Sequence, residues 1–269
     1  PYISKLLSDN RKYAKDLPRD SEGKIIIDIT EPHILEDTDY FRPSAIHYQQ
    51  YGCFTKLKPN ANPNSEYGKW IREEVRRCWE GYIRPSDGEW ITGDMYFFLN
   101  YCPIQLIKKD NKGKSIRTID FPKFWDGHYY KSHYLNQCRS EVQHAAELAS
   151  RGKGKSYYAA SMLAKRFILG ESNDVKKKVQ CVATASERKY IQGANQLLDM
   201  FQYYIDFCAN NTEFPRQRIT SSLQNLAWTM GYIDSETNTR RGTENSVIGV
   251  TSKDDESKLR GSRGVLYLL

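Results

Sequence analysis

The chain has 269 residues, a mass of 31.3 kDa, a formal net charge of +7 at pH 7 and a pI near 9.0. A chain of this length can form one large or two modest domains, and its 39% hydrophobic and 27% charged residues are typical of a soluble globular protein. The sequence contains no apolar run as long as a membrane span, so we expect no membrane partner. The basic charge suits a polyanionic partner without identifying one.

The cysteines and histidines are scattered along the chain. The six cysteines form no C-x-x-C pair, and the five histidines form no H-E-x-x-H motif. This spacing argues against a disulfide framework, a zinc site and a nucleophile–histidine pair, and it favours reduced thiols in a cytosol.

Residues 1–120 are predicted to form an N-terminal arm and an accessory subdomain that is rich in aromatic residues and partly helical. A short apolar strand is expected at 25–29, and prolines and asparagines between 42 and 64 indicate irregular chain. Apolar residues at helical spacing predict an amphipathic helix over 66–82, with Asn64 or Ser65 as its N-cap.

The rest of this accessory region combines an aromatic cluster with a hairpin. Residues 88–104 read GEWITGDMYFFLNYCPI, which is typical of a core or a domain interface. Asp94, the one acid inside that cluster, is expected to be a turn or cap residue rather than a catalytic one. Alternating residues over 106–119, interrupted by Asp110-Asn111-Lys112-Gly113, predict a β-hairpin.

The stretch from His144 to Ile168 has the order of a Walker A motif. Residues 121–138 lead into a helix that reaches Glu147 or stops just before a short strand expected at 145–149. A basic glycine loop follows at 150–154, with Ala149 in place of the usual first glycine. Apolar residues at three- and four-residue spacing then predict a second helix.

This loop has the chemistry of a phosphate site. Gly152 and Gly154 can turn successive backbone N–H groups toward an anion, and the helix N-terminus adds its positive dipole end. Lys155 is predicted to reach the β- and γ-phosphates of ATP, and the Ser156 hydroxyl to bind Mg²⁺. The alternative is an ordinary basic turn at the start of a helix.

The residues after this helix alternate strands and helices. A strand is predicted at 179–186, a long helix at 188–207, and two strands around a polar tip that carries Arg240 and Arg241. These two arginines are candidates for contact with DNA phosphates, although ordinary solvated charges explain them equally well.

The last five residues, Val265 to Leu269, have the form of a Walker B strand, which is fully apolar. In P-loop ATPases, acids that hold Mg²⁺ and polarise the attacking water follow this strand. The sequence stops at Leu269, so we expect a longer protein and assign no catalytic base. A buried core strand of another kind is the alternative.

The sequence resembles the ATPase portion of the large terminase subunit of tailed bacteriophages. Four pieces in order carry the resemblance: SRGKGKS, VATASERKYIQGANQLLDMF, the strand-rich GYI…NSVIGVTS region, and LRGSRGVLYLL. The resemblance implies that Arg151 and Lys155 are catalytic, and that Trp125 or Tyr129 stacks on a purine, although core packing explains these aromatics equally well. It also implies that the phosphate-binding residues are Ser150, Arg151, Gly152, Lys153, Gly154, Lys155 and Ser156.

The expected fold is an α/β P-loop NTPase core over 121–269, with a mostly parallel central sheet, behind the accessory region. The resemblance implies ATP hydrolysis coupled to translocation of double-stranded DNA into the procapsid, with the portal protein and small terminase subunit as partners. It further implies a homo-oligomeric ring, a host-cytoplasmic location and a nuclease outside this sequence. The alternatives are another P-loop DNA helicase or repair ATPase, or a non-enzymatic basic DNA-binding protein.

Overall fold

The computed structural model describes residues 21, 35–109, 113–147, 152–171, 178–214, 219–251 and 266–268. The predicted strand at 25–29 lies outside these ranges, as do Ser150 and Arg151 of the predicted loop. In the described ranges, no helix is both long and apolar enough to cross a membrane.

The accessory region is more helical than its sequence indicated. A 3-10 helix at Thr38–Phe41 precedes three helices: α1 (Pro43–Tyr51), α2 (Glu66–Glu80) and α3 (Gly93–Tyr101). The prediction of irregular chain over 42–64 is therefore wrong for α1, where Pro43 occupies the first helical turn, a position that proline favours. The predicted helix over 66–82 is confirmed as α2, whose N-cap Ser65 accepts a hydrogen bond from the Gly68 backbone.

Two small hairpins complete this region. Strands β1 (Tyr82–Ile83) and β2 (Trp90–Ile91) pair with each other just before α3. The predicted hairpin over 106–119 is confirmed, with slightly longer strands, β3 (Ile104–Lys109) and β4 (Ser115–Asp120).

The remaining elements are four helices and seven strands, in the part of the chain that the structure describes. The helices are α4 (Asp126–Ser140), α5 (Lys155–Leu169), α6 (Arg188–Ile191) and α7 (Leu197–Asn211). The strands are β5 (Gln180–Ala185), β6 (Ile219–Ser222), β7 (Ala227–Met230), β8 (Tyr232–Ile233), β9 (Arg240–Arg241), β10 (Ser246–Thr251) and β11 (Leu266–Leu268).

The sheet arrangement contradicts the predicted mostly parallel P-loop sheet. The largest sheet has five strands in the order β11-β5-β10-β7-β6, and only its β11–β5 and β5–β10 pairings are parallel. The other five pairings among the described strands are antiparallel. Short turns cause the difference, because neighbouring strands such as β6 and β7 that are joined by four residues must run in opposite directions.

Two predicted elements differ for local reasons. Residues 145–147, expected to begin the strand before the loop, have no regular structure and are exposed. The preceding helix α4 ends early, at Ser140, and Val142 follows in a left-handed conformation with φ 55°. The predicted helix over 188–207 is broken between α6 and α7, where Gly193 (φ 137°) and Asn195 (φ 63°) have backbone angles outside the helical range.

Helix α3 lies at the centre of the packing and contacts α1, α2, α4 and α5. Its Tyr96 and Tyr101 hydroxyls donate hydrogen bonds to the buried Glu74 carboxylate of α2, which also accepts one from Ser44. Arg77 pairs with the same carboxylate at 2.8 Å. Burying a carboxylate costs free energy unless hydrogen bonds and an opposite charge compensate it, and here both are present. Asp94 does not cap α3, because the Thr92 side chain accepts the capping hydrogen bond from Met95.

Candidate functional site

The glycine loop runs directly into α5, which begins at Lys155 as predicted. Gly152 has φ +80° and Gly154, the N-cap residue, has φ +67°, a range that glycine adopts without the cost that other residues pay. Glycine brings no side-chain acceptor to the helix N-terminus. An anion can therefore take the capping position, where the helix dipole favours negative charge.

The predicted loop residues are adjacent in space because the loop and the first helical turn are continuous. Gly152, Lys153 and Ser156 are exposed, whereas Gly154 and Lys155 are half-buried.

Among the described residues, no group of three or more His, Cys, Asp or Glu side chains is placed to hold a metal ion. The exposed Ser156 hydroxyl is an oxygen donor of the hard type that Mg²⁺ prefers, so it fits the predicted role.

The two aromatic candidates have different surroundings. Trp125 is 39% exposed, and the Lys153 ammonium nitrogen lies 5.9 Å from its ring centroid. Tyr129 is buried, its hydroxyl donates to a Glu89 carboxylate oxygen at 3.1 Å, and its ring contacts that of His133 at 4.5 Å. Trp125 therefore borders the loop, whereas Tyr129 is part of the core.

His128 contacts the loop, although the sequence analysis did not single it out. Its ring stacks on Tyr158 of α5, with centroids 5.3 Å apart, and meets Trp125 edge-on at 4.6 Å. A methyl group on Gly154 would lie 3.0 Å from the His128 Cε1 atom. Burial and the nearby Lys131 cation lower the pKa of His128 to about 4, so the ring is neutral at pH 7.

The sequence held only a partial signal for His128. Its three-residue separation from Trp125 at the start of α4 indicates that the two side chains are neighbours. That spacing does not reveal that α5 packs on the other side of the imidazole.

Buried ion pairs hold the C-terminal half of α5 against the accessory region. The Asp94 carboxylate of α3 accepts from the Arg166 guanidinium at 3.0 Å and pairs with the Lys165 ammonium. Burial alone would raise the pKa of Asp94, but the Arg166 and Lys165 cations hold it well below its ordinary value. Arg166 also pairs with Glu171 at 2.6 Å. The helix that follows the glycine loop is thus anchored at both ends.

The two arginines of the polar tip have carboxylate neighbours. The Arg240 side chain lies 3.8 Å from a Glu244 oxygen, and that of Arg241 lies 3.7 Å from an Asp234 oxygen. Residues 232–244 contain these two basic residues and three acidic ones, a net charge of −1. The tip is therefore not a cationic surface.

Comparison of the chain with protein-family models, curated proteins and solved structures finds no match. The interpretation of the glycine loop therefore rests on its sequence and its geometry.

Proposed function

We propose that this chain binds ATP with Mg²⁺ at the junction of the glycine loop and α5, and that it is the ATPase portion of a DNA-packaging motor of the large-terminase type. One observation carries the nucleotide part: two glycines with positive φ lead into a long helix whose first two residues are Lys155 and Ser156. A polyphosphate can be bound by backbone N–H groups, a helix N-terminus and a lysine, and its metal ion by a hydroxyl. This junction contains all of these groups.

The residues have distinct roles in this proposal. The backbone around Gly152 and Gly154 cradles the phosphates, and the Lys155 ammonium neutralises charge on the β- and γ-phosphates. The Ser156 hydroxyl holds Mg²⁺, which supplies charge neutralisation when it is bound. The exposed indole of Trp125 stacks on the purine.

Arg151 belongs to the same proposal through the resemblance to terminases. Its planar guanidinium is suited to two oxygens of the transferred γ-phosphoryl group in the transition state. Arg151 and Ser150 lie outside the described residues, so the proposal for them rests on the sequence motif.

The motor function rests on the four terminase-like pieces and on the basic charge of the chain. In this proposal, ATP hydrolysis drives double-stranded DNA into a procapsid in the host cytoplasm. The chain works there as a homo-oligomeric ring with a portal protein and a small terminase subunit. The mixed sheet does not support the motor function, so the proposal depends on the glycine loop and on the resemblance.

Calorimetric titration with a series of adenine nucleotides tests the nucleotide site. A phosphate loop grips the β-phosphate, so ATP and ADP with Mg²⁺ should bind and AMP should not. Equal binding of all three nucleotides, or binding of none, would overturn the phosphate-loop assignment. ATP turnover that rises with duplex DNA separates a DNA motor from a DNA-binding protein without ATPase activity.

A further inference from the structure

The β3–β4 hairpin presents an exposed face with an unusual composition. The register places Gln105 opposite Ile119 and Ile107 opposite Arg117, and cross-strand partners share a face of the hairpin. All four side chains are exposed, with Ile107 72% and Ile119 65% accessible. Two isoleucines and an arginine therefore share one exposed face of the hairpin.

The same hairpin carries a net positive charge. Residues 105–119 contain five basic residues and one acidic one, a net charge of +4 against +7 for the whole chain. Lys114 and Arg117 are exposed, and Lys108 and Lys109 occupy strand β3 opposite Ile116 and Ser115. The β8–β9 hairpin has a similar two-stranded form, but its residues 232–241 include two basic and two acidic residues and carry no net charge.

We propose that the β3–β4 hairpin is a binding surface for double-stranded DNA, an inference that rests on the proposed motor function for its partner. Basic side chains on a two-stranded ribbon can contact phosphates, and such a ribbon is narrow enough to enter the major groove, which is about 12 Å wide. Ile107 and Ile119 add apolar contact with sugars and thymine methyl groups. Phosphate contacts carry no sequence information, as a motor that moves any DNA requires.

The charge argues against a second copy of this chain as the occupant. Two hairpins of net charge +4 repel each other. A polyanion is the complementary partner, and duplex DNA carries the densest regular array of negative charge.

Salt-dependent binding to duplex DNA tests the inference. We would measure fluorescence anisotropy on two unrelated duplexes for wild type and for Lys114→Gln/Arg117→Gln. Loss of up to two phosphate contacts should flatten the slope of log affinity against log salt by up to about 1.8, at about 0.9 per contact. The flattening should be equal for both sequences.

Two further variants separate this surface from a general charge effect. Arg240→Gln/Arg241→Gln removes two cations from the β8–β9 hairpin and should leave the salt slope unchanged. Ile107→Ser/Ile119→Ser removes apolar contact without changing charge, so it should weaken binding severalfold at every salt concentration with the slope unchanged. All these positions lie in surface hairpins, so each variant should keep the fold. Thermal melting followed by circular dichroism checks this.

The outcomes distinguish failure of the hairpin from failure of the proposed function. If the wild type binds DNA and Lys114→Gln/Arg117→Gln keeps the wild-type salt slope, the hairpin proposal is overturned and the motor function is left standing. No DNA binding by the wild type would overturn the motor function, and the hairpin proposal with it, while the nucleotide titration stays independent. Displacement of the DNA by polyglutamate at equal charge concentration would overturn duplex DNA in favour of an acidic protein partner.

Discussion

Replacing Gly154 with alanine should damage the protein more than the same change at Gly152. Both residues have positive φ, so alanine at either position should lower the free energy of unfolding by about 1–2 kcal/mol, because it must adopt a left-handed conformation. At Gly152 nothing in the described structure lies within 4 Å of the added methyl group. At Gly154 the methyl group lies 3.0 Å from His128 Cε1 and 3.2 Å from Nε2, and such overpacking costs about 1–3 kcal/mol more.

The two variants are matched, so their difference isolates the contact with His128. Urea denaturation should give a free energy of unfolding about 1–3 kcal/mol lower for Gly154→Ala than for Gly152→Ala. The double variant Gly154→Ala/His128→Ala should be more stable than the two single changes predict by addition, because the ring that the methyl group meets is gone. Equal stability of the two glycine variants, together with additive behaviour of the double variant, would refute the placement of His128 beneath the loop.

Three further predictions concern charges. Asp94→Asn leaves the buried Lys165 ammonium without its carboxylate and leaves Arg166 with Glu171 as its remaining carboxylate partner, so it should cost about 3–5 kcal/mol at pH 7. Glu80→Gln, at an exposed pair, should cost under about 1 kcal/mol, and similar costs for the two would contradict the buried network. His128 has a folded pKa of about 4 against 6.5 unfolded, so the unfolded state binds more protons between these values and stability falls as the pH drops. Between pH 7 and 5 the wild type should lose about 2 kcal/mol through this residue, and His128→Gln should lose less; an equal loss would show that the ring titrates normally. Arg151→Ala should lower kcat by about 10³-fold with a smaller effect on ATP affinity, and Arg151→Lys should not restore it; turnover near the wild-type rate would make Arg151 an ordinary turn residue.

The sequence predicts those elements whose causes are local. Helix α5 begins at Lys155 because a glycine precedes it and apolar residues then recur at helical spacing. The β3–β4 hairpin follows from alternating residues around a glycine-containing turn. In the candidate site, the relative positions of Gly152, Lys155 and Ser156 are also set locally, because the three residues lie in one loop and the first turn of α5.

The features that the sequence does not reveal depend on contacts between distant segments. A short apolar strand such as β10 looks the same in a parallel or an antiparallel pairing, and β10 makes both kinds. The burial of Tyr129 and the exposure of Trp125 depend on how α4 packs against the accessory region and α5. His128 was missed because the contact that matters joins residues of α4 to the loop before α5.

The most direct test of the central claim is calorimetric titration of ATP with Mg²⁺ into wild type and Lys155→Ala. Lys155 is the cation that we assign to the β- and γ-phosphates, so its removal should abolish measurable binding. Lys69→Ala, which removes an exposed lysine from α2, is the charge-matched control and should bind as the wild type does. Equal affinity of wild type and Lys155→Ala would contradict the assignment of the glycine loop as a nucleotide site.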